Sequence, residues 1–416
     1  MPTHEPRLVV FTTLFPHAGQ PGTGLFIRER MFRVAKAIPL IVVAPVPWFP
    51  LQALIRRWKP HFRPAAPATE MQDGISVLHP RFFSVPGAFK WLDGFFMAIG
   101  SLPTMLRVKR SFGFNVIDAH FAYPDGYAAS LLGRWLRVPF CITLRGTEVP
   151  LARDPRRRRR LVDALQRATR IFSVSESLKR HATTLGVAGD RMLVVGNGVD
   201  MGTFHRLDRA VARQRLGLAM DAPVLVSVGA LVERKGFHRV IECLPALRRK
   251  FPGLRYLVVG GPGPEGDWGA RLRRDVVDLG LQECVVFLGT LAPEDLKVPL
   301  SAADVFVLAT RNEGWANVFL EAMACGLPVV TTDVGGNAEV VADARLGIVV
   351  PFGDSDRLAQ AITDALGREW DRAAIVAYAE SNSWDRRVST LAEEFVAIVA
   401  RQADTCAPER AAPALN

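Results

Sequence analysis

Cysteine is scarce in this chain of 416 residues. The five present (Cys141, Cys243, Cys284, Cys325 and Cys406) are scattered, with no CxxC and no Cys/His cluster. That spacing excludes a disulfide framework and a structural zinc site, and it fits a reducing compartment. Long apolar runs are also missing. No window reaches the roughly 18 consecutive apolar residues of a membrane span, and the nearest approach, residues 91–106, is broken by Asp93, Gly94, Gly100 and Pro103. Residues Met1–Pro6 carry no basic-then-apolar leader. The expectation is a cytoplasmic chain without a span. Acidic residues run short only in the first half. Residues 1–200 hold 28 Lys+Arg against 13 Asp+Glu, and residues 201–416 hold 24 against 28. The whole positive surplus therefore lies in the first half. It points to an anionic partner there, whether nucleic acid, membrane surface or phosphorylated substrate, or else to a solvated Arg-rich face.

What is present is ordinary globular material, 49% hydrophobic and 22% charged, enough for two or three domains. Short β-branched runs alternate with amphipathic stretches of helix length. The strands expected are 8–12, 40–44, 75–79, 116–119, 140–144, 170–174 and 192–195, then 224–229, 255–259, 285–288, 305–309, 328–331 and 348–350. Most are continuous apolar runs, as in parallel strands buried on both faces. Helical patterns such as 26–37, 124–137, 237–250 and 356–366 lie between them. The fold class is therefore α/β, with two Rossmann-like, doubly wound domains. The turn signal Asn197-Gly198-Val199-Asp200 places the division near residue 205. That gives a first domain 1–205, a second domain 206–383, a helix 384–402 that would cross back to the first domain, and a flexible tail 403–416. Two such domains facing each other would bind ligand in the crevice outside their strand carboxyl ends.

Chemistry concentrates after the strand 305–309. Glu313 and Gly314 fall in the loop at its carboxyl end, and residues 316–325 read as a helix whose first N–H groups face that loop, ready for a phosphate. Glu321 follows Glu313 by eight residues. Two carboxylates beside a phosphate site repel the phosphate, but they can accept hydrogen bonds from sugar hydroxyls on either side of it. The alternative is that Glu313 starts the helix and Glu321 is a solvated helix residue.

This segment resembles the Glu-x7-Glu motif of family-4 retaining glycosyltransferases, as in bacterial polysaccharide and teichuronic-acid synthesis. The resemblance runs through most of the chain. Gly22-Thr23-Gly24 is similar to the family's amino-terminal glycine loop, and Val116–Gly126 (VIDAHFAYPDG) to its strand-His-turn segment. Arg145-Gly146-Thr147-Glu148, Ser173-Val174-Ser175 and Asn197-Gly198-Val199-Asp200 follow in the family's order. Val228–Gly236 (VGALVERKG) resembles the phosphate-binding turn that opens the second domain. The resemblance implies a GT-B-type retaining transferase, with Glu313 on the donor sugar and Glu321 on the ribose. It implies backbone N–H groups of Asn317, Val318 and Phe319 on the diphosphate, Gly229 and Gly314 in the turns around the donor, and Lys235 neutralising the leaving group. Gly22, Thr23, Gly24 and Arg145 would serve the acceptor side. Relatives often place Arg after the glycine of the phosphate turn, where this chain has Ala230. Arg234 or Arg311 would then supply the second cation. His120, after an apolar strand, reads by itself as structural, but the resemblance places it beside the transferred sugar in a positioning role. In a front-face mechanism the departing phosphate takes the acceptor's proton.

Two motifs are set aside. Gly261-Pro262-Gly263-Pro264-Glu265-Gly266 satisfies GxGxxG, but its prolines remove the N–H groups that would cradle a pyrophosphate, so it reads as a turn. Asp354-Ser355-Asp356 satisfies DxD but precedes an amphipathic helix, where an N-cap explains it. No metal or other cofactor is expected. The partners expected are a nucleoside-diphosphate sugar, a glycan or polyprenyl-linked acceptor, and an anionic membrane surface on the first domain. That surface is read from Arg153 with Arg156–Arg160, from residues 48–59, and from the aromatics of 82–99 beside Arg107, Lys109 and Arg110. An RNA-binding patch would want exposed aromatics on a sheet or groove and no nucleotide-sugar motif, so no nucleic acid is expected. The sequence thus points to a cell-envelope polysaccharide glycosyltransferase, peripheral on the inner membrane face. The alternative is a catalytically degenerate protein of the same fold that binds nucleotide sugar without transfer.

Overall fold

The computed structural model describes residues 5–50, 52–58, 62–263 and 265–406, with side chains through 402. Sixteen strands are present among them. Ten lie before residue 196: β1 (Leu8–Phe11), β2 (Leu40–Val43), β3 (Val46–Trp48), β4 (Thr69–Gln72), β5 (Ile75–Leu78), β6 (Arg81–Phe83), β7 (Val116–His120), β8 (Phe140–Leu144), β9 (Arg170–Ser173) and β10 (Met192–Val194). Six follow: β11 (Val224–Val228), β12 (Arg255–Val259), β13 (Val285–Gly289), β14 (Val305–Leu308), β15 (Val329–Thr332) and β16 (Gly347–Val350). Each of the thirteen expected strands has its counterpart here. The three additional ones lacked an apolar run to betray them. β3 carries a central proline, β4 is polar and pairs antiparallel to β5 at a sheet edge, and β6 begins with Arg81 and pairs only with β3.

The chain divides into two compact units. One runs to Gly196 and resumes at Arg387, and the other is Asn197–Arg386. In the first, an eight-stranded sheet has the order β10-β9-β8-β7-β1-β2-β5-β4, parallel apart from β4. In the second, six parallel strands take the order β13-β12-β11-β14-β15-β16, the doubly wound arrangement whose direction reverses between β11 and β14. Along β11 and β14 successive residues enter different cores. Val224, Val226, Phe306 and Leu308 pack on one side of the sheet, and Leu225, Val305 and Val307 on the other. Two covered faces are why these strands read as unbroken apolar runs.

The helix Trp384–Cys406 spans the division at Arg387. Its Leu391, Phe395, Ile398 and Val399 join Leu8, Val10, Val116 and Phe172 in the core of the first unit. Of the tail expected to be flexible from 403, the backbone stays helical through Cys406, and 407–416 lie outside the described residues, as do Leu51, Lys59 and Pro264. Among the described residues no helix is long and apolar enough to cross a membrane.

Candidate functional site

In the second unit the reversal point between β11 and β14 gathers the expected donor residues. Gly229 follows β11, and its carbonyl would lie 1.8 Å from a Cβ on Gly260 (φ 146°), so only glycine fits there. The chain then turns through Glu233–Lys235 to Gly236, whose φ of 76° opens the helix Phe237–Lys250. A Cβ on Gly236 would stand 1.9 Å from the Ala309 carbonyl at the end of β14. This close approach seats Lys235 against Glu313. Lys235 Nζ donates to Glu313 Oε1, and Arg234 Nη1 (3.3 Å) and the Thr310 hydroxyl (3.4 Å) reach the same oxygen. Arg234 also donates to Glu265, with its closest contact at 2.7 Å, and to the Asn312 carbonyl at 3.0 Å. Burial pulls the Arg234 guanidinium down, and the hydrogen bonds and charges of Glu265 and Glu313 outweigh it, leaving the group above its ordinary value. The hydrogen bond from Arg234 likewise holds the Glu265 carboxyl below its ordinary value.

Arg311 turns away and pairs with Glu233 at 3.0 Å. Of the two arginines weighed against Ala230, Arg234 is therefore the one on the Glu313 carboxylate. The glycine-rich turn set aside as a dinucleotide motif is a turn, closed by reciprocal Gly263 and Gly266 backbone bonds of 2.9 and 3.0 Å. It also delivers Glu265 to Arg234, which the sequence reading missed because the motif was weighed only for its N–H groups. Asp354 accepts from Arg357 N at 2.9 Å as an N-cap. Among the described residues no three His, Cys, Asp or Glu side chains gather as metal ligands.

The expected helix after Gly314 is Asn317–Ala324. Its N-cap, Ala316, has no capping side chain, so the first-turn N–H groups need other partners. Phe319 N already donates to the Ala316 carbonyl at 3.1 Å, leaving Asn317 and Val318 as the amides without an acceptor among the described residues. Glu321 lies half-buried on this helix, and burial pushes its carboxyl up to about 7 against the pull of Lys235. Among the described residues no hydrogen bond from the protein reaches it. Gly335, after β15, was not singled out in the sequence. Its φ is 55°, and a Cβ there would meet the Glu313 carbonyl at 1.7 Å, so this loop fixes the Glu313 backbone from the far side.

The first unit builds a second cluster at the carboxyl ends of β1, β7 and β8. His120 ends β7 with its ring fully buried. Its Nδ1 accepts from Arg145 Nε at 3.0 Å, which leaves the proton on Nε2, 3.3 Å from Asp118 Oδ2. Burial lowers its pKa to about 4, with Asp118 opposing and Arg145 assisting, so the ring is neutral. Arg145 stacks 5.0 Å from the Phe26 ring centroid. Gly24, with φ 71°, starts the helix Leu25–Val34, and a Cβ there would lie 2.3 Å from the Leu14 carbonyl. Gly22 has open space around it, and Thr23 N bonds Gln20 O at 3.3 Å. Two buried acids had not been weighed for a role. Asp125 accepts from Thr13 N and from the Thr13 hydroxyl, and burial pushes it up to about 7. Glu148 gathers the Ala122, Arg145 and Gly146 amides.

Parallel doubly wound sheets with a cationic, helix-opening turn at the reversal point place the chain among the two-domain α/β proteins of GT-B type. The comparisons agree. The family model of group 1 glycosyl transferases matches residues 208–382, and that of glycosyltransferase family 4 matches residues 51–202. Neither model alone spans half of the chain, but they lie end to end along most of it, and both are models of glycosyltransferases. A Bacillus subtilis protein assigned as a teichuronic acid biosynthesis glycosyltransferase is 27% identical over 87% of this chain and 88% of its own length. A D-inositol 3-phosphate glycosyltransferase of Mycobacteroides abscessus is 35% identical over 53% of this chain, a stretch that spans only 49% of that relative. Among solved structures, Anabaena HepE in complex with UDP shares the fold with a TM-score of 0.67 at 21% identity, over 96% of this chain and 99% of the other.

Proposed function

We propose that the protein moves a sugar, with retention at the anomeric carbon, from a nucleoside diphosphate to a glycan or polyprenyl-linked acceptor. The observation that carries this is the Lys235–Glu313–Arg234 cluster beside the uncapped start of the helix Asn317–Ala324. Lys235, Arg234 and the amides of Asn317 and Val318 supply positive charge where a diphosphate leaves, so the reading needs no metal or other cofactor. Glu313, held by two cations and Thr310, is oriented to accept from sugar hydroxyls. Glu321, without a protein partner, is suited to a ribose. The bond from the anomeric carbon to the diphosphate breaks as the acceptor oxygen bonds the same face, and the acceptor's proton passes to the diphosphate oxygen. A positioning role for His120 is exerted through Arg145, which donates to its Nδ1. Solved HepE complexes contain UDP and UDP-glucose, and a uridine nucleotide sugar is the first donor to try. Exposed Trp48, Phe95 and Ile99, in the segments whose sequence combines aromatic and basic residues, support an acceptor met at the inner membrane face.

The test is turnover against a panel of nucleotide sugars, with the melting temperature as a parallel reading, since a ligand at about 100 times its Kd adds about 2.7 kcal/mol. Glu313→Ala should lower kcat and kcat/KM together, by roughly 100-fold or more. Wild-type kinetics in that variant would remove Glu313 from the donor site. Melting shifts with no turnover on any acceptor would identify a nucleotide-sugar-binding protein instead.

A further inference from the structure

The first unit contains a cationic groove that the donor chemistry leaves unused. The helix Pro155–Arg167 carries five arginines in succession behind its N-cap, Asp154. Leu161, Ala164 and Leu165 bury its inner face. Arg157 is paired with Asp154 at 3.4 Å, and Arg167 with Asp163 at 2.8 Å. Among the described residues no carboxylate lies within ion-pair distance of Arg156, Arg158, Arg159 or Arg160. Two of these four are nonetheless held in place. The Arg160 guanidinium sits 5.1 Å from the Trp91 ring centroid and 5.0 Å from that of Tyr127, and it donates to Tyr127 Oη at 2.6 Å. Arg156, one turn earlier, lies over the same indole at 5.6 Å. These side chains line an open groove of about 1100 Å³.

Two like charges four residues apart on a helix repel each other. On a purely solvated face they would swing apart into water. Here one indole holds both, and a phenol fixes the second. Such a pair offers preset N–H donors to a phosphate, which arginine binds through two parallel N–H donors. The placement agrees. The helix Tyr127–Leu136 follows β7 and the helix Pro155–Arg167 follows β8, so both begin from the sheet edge that carries His120. Ligands of doubly wound sheets bind outside that carboxyl edge.

We propose that the groove formed by Trp91, Tyr127, Arg156 and Arg160 binds the phosphate or diphosphate group of a phosphorylated acceptor. The transfer reading above supplies only the word acceptor; the binding itself does not depend on it. A lipid-linked acceptor and a free diphosphate offer the same chemistry, and the probes separate them.

Binding of inorganic pyrophosphate, and of geranylgeranyl diphosphate in neutral detergent micelles, would be measured by calorimetry, with geranylgeraniol as the uncharged control. All proteins carry Lys235→Ala to weaken phosphate binding at the donor site. Arg156→Gln/Arg160→Gln should lose about tenfold or more in affinity for both diphosphates. Arg107→Gln/Arg110→Gln removes the same charge from exposed positions of the same unit and should change it less than about twofold. Tighter binding of geranylgeranyl diphosphate than of pyrophosphate would identify a lipid-borne ligand, and equal binding a water-soluble one; either supports the groove. Equal losses in the two double variants would reduce the groove to diffuse charge and overturn the proposal. So would attachment to phosphatidylglycerol vesicles that neither diphosphate displaces. Should the double variant fail to fold, Arg156→Gln alone, at an exposed position, must weaken binding at least about threefold; no change there overturns it. The nucleotide-sugar melting shift in otherwise wild-type protein is read separately. Its loss would sink the transfer reading and leave the groove standing.

Discussion

Glu321 is an acid whose folded state prefers the proton, and the consequence can be worked out in sign. Its pKa rises from an ordinary 4.5 to about 7 through burial. An acid raised on folding leaves stability intact below its unfolded pKa and drains it as pH climbs through the folded value. Between pH 4.5 and about 7 the ligand-free protein therefore loses stability at this residue. Glu321→Gln should melt higher than wild type at pH 8, by roughly 2 °C or more, and equally at pH 4. The same variant should bind nucleotide more weakly, because a ribose hydroxyl donates better to a carboxylate. Thermal melts at the two pH values with and without nucleotide check both halves. An unchanged melting temperature at pH 8 would mean that the carboxylate is already solvated. The sequence placed Glu321 on a helix eight residues past Glu313, and the structure agrees. It could not show that Arg234 rather than Arg311 turns onto Glu313, because that choice is made by Glu265, on a distant turn, for Arg234 and by Glu233, far away in the chain, for Arg311.

At the scale of elements, legibility followed burial. Strands sandwiched between helices, such as β11 and β14, announce themselves as apolar runs. β3, β4 and β6 lie at an edge or in a separate pair, need no such run, and were missed. The helix Trp384–Cys406 was visible as a periodic stretch, but only the structure tells where its apolar stripe goes. Phe395 is fully buried and meets Phe172 edge to face, with ring centroids 5.6 Å apart. Phe395→Ala should therefore cost about 3–5 kcal/mol in the unfolding of the first unit, measured by urea denaturation, while leaving nucleotide affinity in the second unit unchanged. A cost under about 1 kcal/mol would mean the helix does not contribute to that core.

On the whole-molecule scale, each unit carries its own cluster of charge. In the second, cations and helix amides surround the reversal point of the sheet, and the proposed transfer assigns a leaving diphosphate to them. Transfer should accordingly survive excess EDTA with its rate essentially intact, measured on the donor that the panel identifies. Abolition by chelation, with recovery on adding Mg²⁺ or Mn²⁺, would overturn the metal-free reading. From the Asn197–Asp200 turn the sequence reading placed the division near 205; the structure divides the chain at Asn197. Charge asymmetry pointed to either an anionic partner or a solvated Arg-rich face in the first half, and packing singles out Arg156 and Arg160 from the rest of the run.

The return of the chain to its first unit at Arg387 sets a timetable on the ribosome. Most domains made early in synthesis fold while the remainder is still being translated. Here the first sheet emerges with a gap in its apolar surface, over Leu8, Val116 and Phe172, that Leu391, Phe395 and Val399 fill. Those three are translated only after the whole of the second unit. The unit encoded second can close as soon as it clears the exit tunnel, whereas the unit encoded first must wait with that surface wet.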